Sequence, residues 1–367
     1  MSDWPAGQMR DNFMDKPYLL DQSTLNTNAN GDNPLARPCD MKILKPAVAT
    51  TAFLFAFAGR GDVTWTSVLP SETDSKIQDF DTPHWICVNE DILLGQSTKI
   101  KDRHEMLLFL PGTYGDKQGA EEFLETAANL GYHCVELMYP NDVSAAEMCA
   151  DNPVAGSFES FRMAIIQGGR MSQYLTVDKI DSIENRLGKL LLFLQQQRPK
   201  ENWGQFLNGG EIAWERIVVA GQSQGGGHAA LIAVKYHVAR VIMFGAPKDY
   251  SRALRQPAAW YSEPKATPIS CFFAINHQQD YQGCSFPQLL ENLQALGLDR
   301  LGAPVDVDQA SPPYNHSHIL VTNYPGTFVP SKTAHITALA DKNKSVFRKA
   351  WIYMLTAATN EQGSLPR

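Results

Sequence analysis

The chain has 367 residues, of which 44% are hydrophobic and 19% are charged, so it can bury a large core in one large domain or two smaller ones. The formal net charge is −7, without a block of Lys or Arg. This argues against nucleic acid and anionic membrane surfaces as partners, because both require clustered positive charge. A low charge with 22 Pro and 26 Gly describes a compact, loop-rich globular chain rather than a disordered one.

Residues 41–58 have the layout of a secretory signal peptide. Residues 41–45 form a short basic start, residues 46–55 are largely apolar, and residues 56–58 read Ala-Phe-Ala, a small-residue cleavage site. The apolar run is shorter than the about 20 residues that a membrane-spanning helix needs. We therefore expect export without stable membrane insertion.

The signal-like segment lies forty residues into the chain. Residues 1–40 are polar and show no periodicity, so we interpret them as an N-terminal extension ahead of a true start at Met41. Cleavage after Ala58 would leave residues 59–367 as a single domain in a secreted or periplasmic protein. The alternative is a buried edge strand over residues 52–58 in a cytoplasmic protein.

Strand-like and helix-like segments alternate along the rest of the chain. Apolar runs and turn residues predict strands over 106–110, 132–138, 216–220, 238–244, 269–275 and 318–322, and helices over 120–130, 181–197, 225–236 and 344–356. This alternation predicts an α/β fold in which helices cover both faces of a mostly parallel central sheet. A ligand would bind at the carboxyl edge of such a sheet.

An apolar strand, a G-x-S-x-G motif and a run of small residues follow one another over residues 217–228. A serine on a sharp strand-to-helix turn holds its Oγ in the open, with the helix N-terminus beneath it. Gly221 and Gly225 suit such a turn because a Cβ there would collide with the neighbouring backbone. The segment resembles the nucleophile elbow of the α/β-hydrolase superfamily, with Ser223 as nucleophile. The alternative is a glycine-rich turn with an incidental serine.

The resemblance covers about residues 100–358 and implies the α/β-hydrolase fold. It also implies that an acid and then a histidine follow the serine in chain order, since a serine alcohol needs a histidine base oriented by a carboxylate. Residues 143–178, which show weak periodicity, would then be a loop or lid insertion at the rim of the pocket.

Two aspartates are candidates for the acid. Asp280 follows the strand predicted at 269–275, where the superfamily usually keeps its acid. Asp249 follows the strand predicted at 238–244, where a minority of the superfamily keeps it. We prefer Asp280 and keep Asp249 as the alternative; either could also be a loop cap or a solvated charge.

Three late histidines are candidates for the base. We expect His335 to lie in a loop between the last strand and the last helix, which is the superfamily's position for this residue. His316 and His318 lie at the entry of the last strand, which would place them at the wrong end of the sheet. Of the others, His277 is expected to shape the pocket and His228 to pack in the core.

Two backbone N–H groups are candidates for an oxyanion hole. One belongs to Gln224, the residue after the nucleophile, and the resemblance implies that the other comes from the loop at residues 111–115, with Thr113 as the best candidate. Pro111 replaces the histidine that many members of the superfamily have in this loop.

The motif search predicts neither a metal nor a cofactor. The sequence lacks an H-E-x-x-H motif, an acidic calcium loop, a C-x-x-C pair and a G-x-G-x-x-G turn. Six cysteines are present. Cys271 and Cys284 flank one short loop and could form a disulfide outside the cytoplasm, or they could be small buried apolar residues as expected for Cys134.

These features together predict a serine hydrolase that cleaves a small-molecule or lipid-like carboxylic ester through an acyl-enzyme. An acyltransferase, an amidase or a peptidase on the same fold remains open, because these enzymes differ in pocket shape and leaving group rather than in the triad. A non-catalytic binding protein on a hydrolase scaffold is a further alternative. The presence of serine, acid and histidine in order argues against it.

The N-terminal interpretation can be tested directly. Expressed from Met41 in a secreting bacterial host, the protein should be exported and should begin at or near Gly59, because the signal-like segment is removed on export. N-terminal sequencing of the exported protein is the measurement. An active cytoplasmic enzyme with an intact N-terminus would contradict the prediction.

Overall fold

The computed structural model describes residues 63–115, 119–170, 172–173, 175–325, 330–340 and 345–359. Its main feature is a nine-stranded sheet in the order β1-β2-β4-β3-β5-β6-β7-β9-β8. The strands are β1 (Val63–Val68), β2 (His84–Asn89), β3 (Met106–Leu110), β4 (His133–Glu136), β5 (Ile217–Gln222), β6 (Arg240–Phe244), β7 (Phe272–His277), β8 (Val305–Asp306) and β9 (Ile319–Thr322). Strand β2 is antiparallel to both of its neighbours, and all other neighbouring pairs are parallel.

Ten α-helices are found in the described residues. They are α1 (Pro70–Thr73), α2 (Glu90–Leu93), α3 (Glu121–Ala128), α4 (Ala145–Cys149), α5 (Ser157–Ile166), α6 (Ile183–Gln197), α7 (Gln224–Lys235), α8 (Phe286–Leu296), α9 (Pro330–Ala340) and α10 (Ser345–Thr356). Two short antiparallel ribbons pair Leu207–Asn208 with Glu211–Ile212 and Tyr250–Ser251 with Gln256–Pro257.

The core has two layers, one on each face of the sheet. Successive residues of a strand point to opposite faces, so Leu108 packs into one apolar cluster while Leu107 packs into the other. Helices α5, α6, α7 and α8 cover the first cluster, and α3, α9 and α10 cover the second. The predicted fold class, a mostly parallel sheet with helices on both faces, is confirmed.

All six predicted strands are present, most of them shifted by a few residues at one end. The sequence analysis named none of β1, β2 and β8, which lie towards the two edges of the sheet. Each of the four predicted helices is also found, with bounds shifted by a few residues. Because β3, β5, β6 and β7 are parallel neighbours, the loops that follow them meet at one carboxyl edge.

Residues 143–178 are more regular than their weak periodicity suggested. They contain α4 and α5, and the Ser144 side chain caps α4 by accepting a hydrogen bond from the backbone N–H of Glu147 at 3.4 Å. Helix α5 packs against α7 and α6. The part of the segment from residue 145 to residue 166 therefore contains two helices, and the second of them packs against helices of the core.

The disulfide considered for Cys271 and Cys284 is not formed; both residues are buried thiols. Cys271 precedes the six-residue strand β7 and Cys284 follows it, so the whole strand lies between them along the chain. The sequence analysis read the two cysteines as flanking a short loop, whereas a strand lies between them.

The predicted signal peptide at residues 41–58 and the extension at residues 1–40 lie outside the described residues. Within the described ranges, no helix is long and apolar enough to cross a membrane.

Ser182 caps helix α6, and this cap can be tested. Ser182 is buried, and its Oγ accepts a hydrogen bond from the N–H of Asn185 at 3.2 Å. Replacing Ser182 by Ala leaves that N–H without its acceptor and should lower the free energy of unfolding by about 1 kcal/mol. The matched change Gln196→Ala, on an exposed site of the same helix, should alter it by no more than a few tenths. Urea denaturation of both variants measures the difference, and equal effects would contradict the capping role.

Candidate active site

Ser223 lies at the turn between β5 and α7 with a strained backbone. Its φ is 54° and its ψ is −117°, a sparsely populated region for a residue with a side chain. The turn is held on both sides, because the N–H of Ser223 donates to the carbonyl of Phe244 at 2.8 Å and its carbonyl accepts from Gly227 at 3.1 Å. This strand–turn–helix geometry is that of a nucleophile elbow.

Two glycines allow the turn to be this sharp. A Cβ at Gly221 would lie 2.3 Å from the carbonyl carbon of Gly225. A Cβ at Gly225 would lie 2.0 Å from the carbonyl oxygen of Leu110, at the end of β3. No real Cβ approaches backbone so closely, so both positions require glycine for packing, as the sequence analysis argued.

Asp280 and His335 form a buried pair. The Nδ1 of His335 lies 2.7 Å from Oδ2 of Asp280, and their side chains are 8% and 1% exposed. A carboxylate can only accept, so Nδ1 carries the proton and Nε2 is left as a proton acceptor. Burial by itself would raise the pKa of Asp280, but the hydrogen bond from His335 and the positive charge of Lys248 outweigh it and hold that pKa below its ordinary value.

His335 lies inside helix α9, not in the loop predicted from the sequence. Its position is fixed from two sides. The side-chain amide of Gln222 donates to the His335 carbonyl at 3.3 Å. Gly245, which follows β6, leaves room for the ring, because a Cβ there would lie 3.4 Å from Nδ1. The residue before Ser223 therefore ties the elbow to the helix that carries His335.

Asp249, the alternative acid, is engaged elsewhere. Both of its oxygens accept hydrogen bonds from Arg162, each at 2.6 Å, and Oδ2 also accepts from Nε1 of Trp260 at 3.0 Å. Arg162 and Asp249 are each 1% exposed. With both oxygens taken by a guanidinium, Asp249 has no contact with His335 among the described hydrogen bonds.

The loop at residues 111–115 passes directly beside Ser223. A Cβ at Gly112 would lie 3.2 Å from Cβ of Ser223, and Thr113 comes next. Residues after β4 hold this loop: the Tyr139 hydroxyl donates to the Pro111 carbonyl at 2.6 Å. The Asn141 amide donates to the carbonyl of Gly112 at 2.9 Å. This anchoring keeps the Thr113 N–H, a predicted oxyanion donor, at the edge of the site.

Gln224 is the first residue of α7, so its backbone N–H has no acceptor within the helix. Its carbonyl accepts a hydrogen bond from Nη1 of Arg162 at 2.8 Å. Its side chain accepts from the N–H of Ala145 at 2.8 Å and donates to the carbonyl of Val143 at 2.9 Å. The second predicted oxyanion donor is thereby tied to the start of the 143–178 segment.

A cavity of about 820 Å³ opens at this edge of the sheet. Its lining includes Ser223, His335, Thr113 and Gln224, which the sequence analysis named, and Lys248 and Arg162, which it did not. Residues 144–147 form part of the wall, as expected for a rim segment. Asp280 lies behind His335, beneath the surface of the cavity.

The other histidines lie elsewhere. His316 and His318 line a separate cavity of about 370 Å³ with residues of α10. They precede β9 and so lie at the opposite edge from Ser223, as predicted. His228 is fully buried with its ring 5.3 Å from that of Tyr139, a packing role as predicted. His277 was expected to shape the pocket, but it is buried, hydrogen-bonds the carbonyl of Tyr324 at 3.0 Å and does not line the cavity.

Four large aromatic residues between positions 203 and 261 belong to the core and not to the wall of the cavity. Trp203, Trp214, Trp260 and Tyr261 are buried, and none lines the cavity beside Ser223. In the parts of the chain that the structure describes, no group of His, Cys, Asp and Glu is arranged to hold a metal ion.

The sequence analysis missed three residues that shape the site. Asn141 had a local signal, since it directly follows a strand that neighbours β3. Arg162 and Lys248 had none, because their partners Asp249 and Asp280 are recognised only once the chain is folded.

Gly227 tests how tightly Arg162 is held. A Cβ at this position would lie 2.2 Å from Nη2 of Arg162, so Gly227→Ala should push the guanidinium off Asp249. The expected loss of unfolding free energy is about 1–3 kcal/mol, as for other overpacked cores. The matched control is Gly188→Ala in α6, where a Cβ meets nothing within 4 Å and the change should stabilise by roughly 0.5–1 kcal/mol. Chemical denaturation of both variants measures the change in unfolding free energy. A Gly227→Ala variant that is more stable than the wild type would contradict the close contact.

Comparison with known proteins finds solved structures that are similar to this chain. No protein-family profile and no curated protein matches the chain. The chain is similar to an inhibited esterase B from Lactobacillus rhamnosis, at 13% identity and a TM-score of 0.43, over 81% of this chain and 86% of that one. It is also similar to a bacterial heroin esterase, at 16% identity and a TM-score of 0.36, over 81% of this chain and 83% of that one. Neither likeness bears on substrate. On the evidence of its own strand order and of the turn at Ser223, the chain has the fold of the α/β-hydrolase superfamily.

Proposed function

We propose that this protein is a serine hydrolase that cleaves a carboxylic ester through an acyl-enzyme, with Ser223, His335 and Asp280 as its catalytic triad. The observation that carries the proposal is the buried contact of 2.7 Å between Nδ1 of His335 and Oδ2 of Asp280. His335 lines the same cavity as Ser223. An oriented histidine beside a serine on a strained turn is the arrangement that nucleophilic catalysis by serine requires.

The chemistry proceeds in two steps. Nε2 of His335 removes the proton from Ser223, whose Oγ attacks the ester carbonyl, and the imidazolium is stabilised by the ionised Asp280. The oxyanion accepts hydrogen bonds from the N–H groups of Thr113 and Gln224, and collapse expels the alcohol as it takes the proton from His335. Water then attacks the acyl-enzyme with His335 as base, which releases the acid and frees Ser223.

The side chains at the mouth of the cavity favour a substrate that carries an apolar group. Three of its lining residues are large, apolar or aromatic, and exposed: Tyr114 (74%), Tyr281 (66%) and Ile336 (44%). Exposed apolar side chains at a cavity mouth gain free energy when a ligand covers them. We therefore propose an ester whose acyl or alcohol part is apolar. A screen over p-nitrophenyl esters of increasing acyl length would identify the preferred length.

We further propose that the protein works outside the cytoplasm. The support is the signal-like sequence at residues 41–58 alone. The buried cysteines of the described residues are thiols and need no oxidising compartment.

Variants of the serine and the two aspartates test the triad. Ser223→Ala should abolish hydrolysis, and retention of more than about a tenth of the activity would contradict the mechanism, since loss of a triad member costs about 10⁴-fold or more. Asp280→Asn should lower kcat by roughly 10⁴-fold, because an amide no longer fixes the productive His335 tautomer. Hydrolysis of a p-nitrophenyl ester and labelling of Ser223 by a fluorophosphonate probe are the measurements.

Asp249→Asn is the matched control, because it makes the same chemical change at the other candidate acid. It weakens the partner of a buried guanidinium and should therefore reduce stability, by as much as about 3–5 kcal/mol, while lowering activity per folded molecule far less than Asp280→Asn does. If Asp249→Asn abolished probe labelling in folded protein while Asp280→Asn did not, the acid would be Asp249.

A further inference from the structure

Lys248 is a lysine buried against the proposed triad. It follows β6, and its side chain is only 7% exposed although it lines the cavity. Its Nζ lies 2.7 Å from Oδ2 of Asp280. Gly283 lies beside its stem, since a Cβ added at that glycine would be 3.5 Å from Cβ of Lys248. An ammonium held in such a place is costly unless it interacts with a charge.

The ammonium and the imidazole share one oxygen. Both Nζ of Lys248 and Nδ1 of His335 lie 2.7 Å from Oδ2 of Asp280, so they cannot be farther apart than twice that distance. The positive charge of Lys248 therefore acts on the same carboxylate oxygen that accepts the hydrogen bond from His335.

The other titratable groups beside Lys248 and Asp280 are neutral, exposed or paired with each other. Burial raises the pKa of the neighbouring Cys284 thiol to about 12, so it stays neutral. Arg162 and Asp249, from α5 and from the residue after Lys248, neutralise each other. Tyr281 and Gln282 are exposed. Lys248 is thus the cation that acts on Asp280 besides His335 itself.

We propose that Lys248 is a positioning residue that keeps Asp280 ionised and available to His335, and so extends activity to lower pH. The inference rests on the triad proposed above. Without the ammonium, a proton is taken up more readily by Asp280, which loses a cause of its low pKa. A proton taken up by the hydrogen-bonded pair of Asp280 and His335 stops general-base catalysis, so loss of the ammonium should move this limit to a higher pH. The apparent value belongs to the coupled pair.

The test is the pH profile of kcat/KM for a p-nitrophenyl ester in wild type, Lys248→Met, Lys248→Gln and Lys248→Arg. Met and Gln remove the charge and retain most of the stem, so the acid limb should move up by about one pH unit or more for a charge lost at this distance. Arg retains the charge and should leave the acid limb in place. Its planar fork competes for both oxygens of Asp280, however, and should lower the plateau.

Lys189→Met is the matched control, because it removes one positive charge from a lysine that is 39% exposed on α6 and should not move the acid limb. Circular dichroism verifies the fold of each variant, and if Met does not fold, the Gln and Arg variants give the same comparison. An unmoved acid limb in folded Met or Gln variants would overturn the proposal. So would a change confined to KM, which would make Lys248 a substrate-binding group, or an equal shift in the Arg variant, which would make its role packing. Failure of wild type to hydrolyse esters and to label at Ser223 would instead refute the proposed function.

Discussion

The site depends on how closely the backbone of α7 approaches the end of β3. The first turn of α7 lies so near Leu110 that Gly225 has no room for a Cβ. This approach brings three things to one point: the strained Ser223, the free N–H of the first helical residue, and the loop that leaves β3. The small residues of the G-x-S-x-G motif are thus first a packing requirement. The chemistry uses a geometry that the packing has already fixed.

The buried ion pair of Arg162 and Asp249 is a second constraint on the turn at Ser223. Arg162 reaches from α5 under α7, where Gly227 has no side chain, and donates to the carbonyl of Gln224. Asp249 compensates its charge with two hydrogen bonds. A buried ion pair adds little net stability in general, since desolvation offsets the attraction. Its value here is positional, because one guanidinium connects the 143–178 segment, the loop after β6 and the first turn of the elbow helix.

The elements that could be predicted from the sequence are those that a local pattern of residues encodes. Continuous apolar runs such as residues 106–110 predicted the central strands, and the strand–serine–helix run predicted the turn at Ser223. The two-residue strand β8 is too short to leave a pattern. His335 was expected in a loop because its helix, α9, is rich in Ser, Thr and Ala and shows no apolar stripe, and the start signal of Pro330 was overlooked. Arg162 pairs with a residue 87 positions away, which no local pattern reveals.

The two aspartates show why a site cannot be completed from sequence alone. Asp249 and Asp280 each follow a central strand within a few residues, and each is fully buried beside a cation. What separates them is the shape of that cation. A guanidinium is a planar fork that engages both oxygens of a carboxylate, and it holds Asp249 in a buried pair with Arg162, with Trp260 as a further donor to Oδ2. An ammonium is a point charge, so Lys248 can stabilise Asp280 while Oδ2 still accepts from His335. The acid that can orient a histidine is therefore the one beside lysine, and the folded chain makes that choice through residues that lie far apart in sequence.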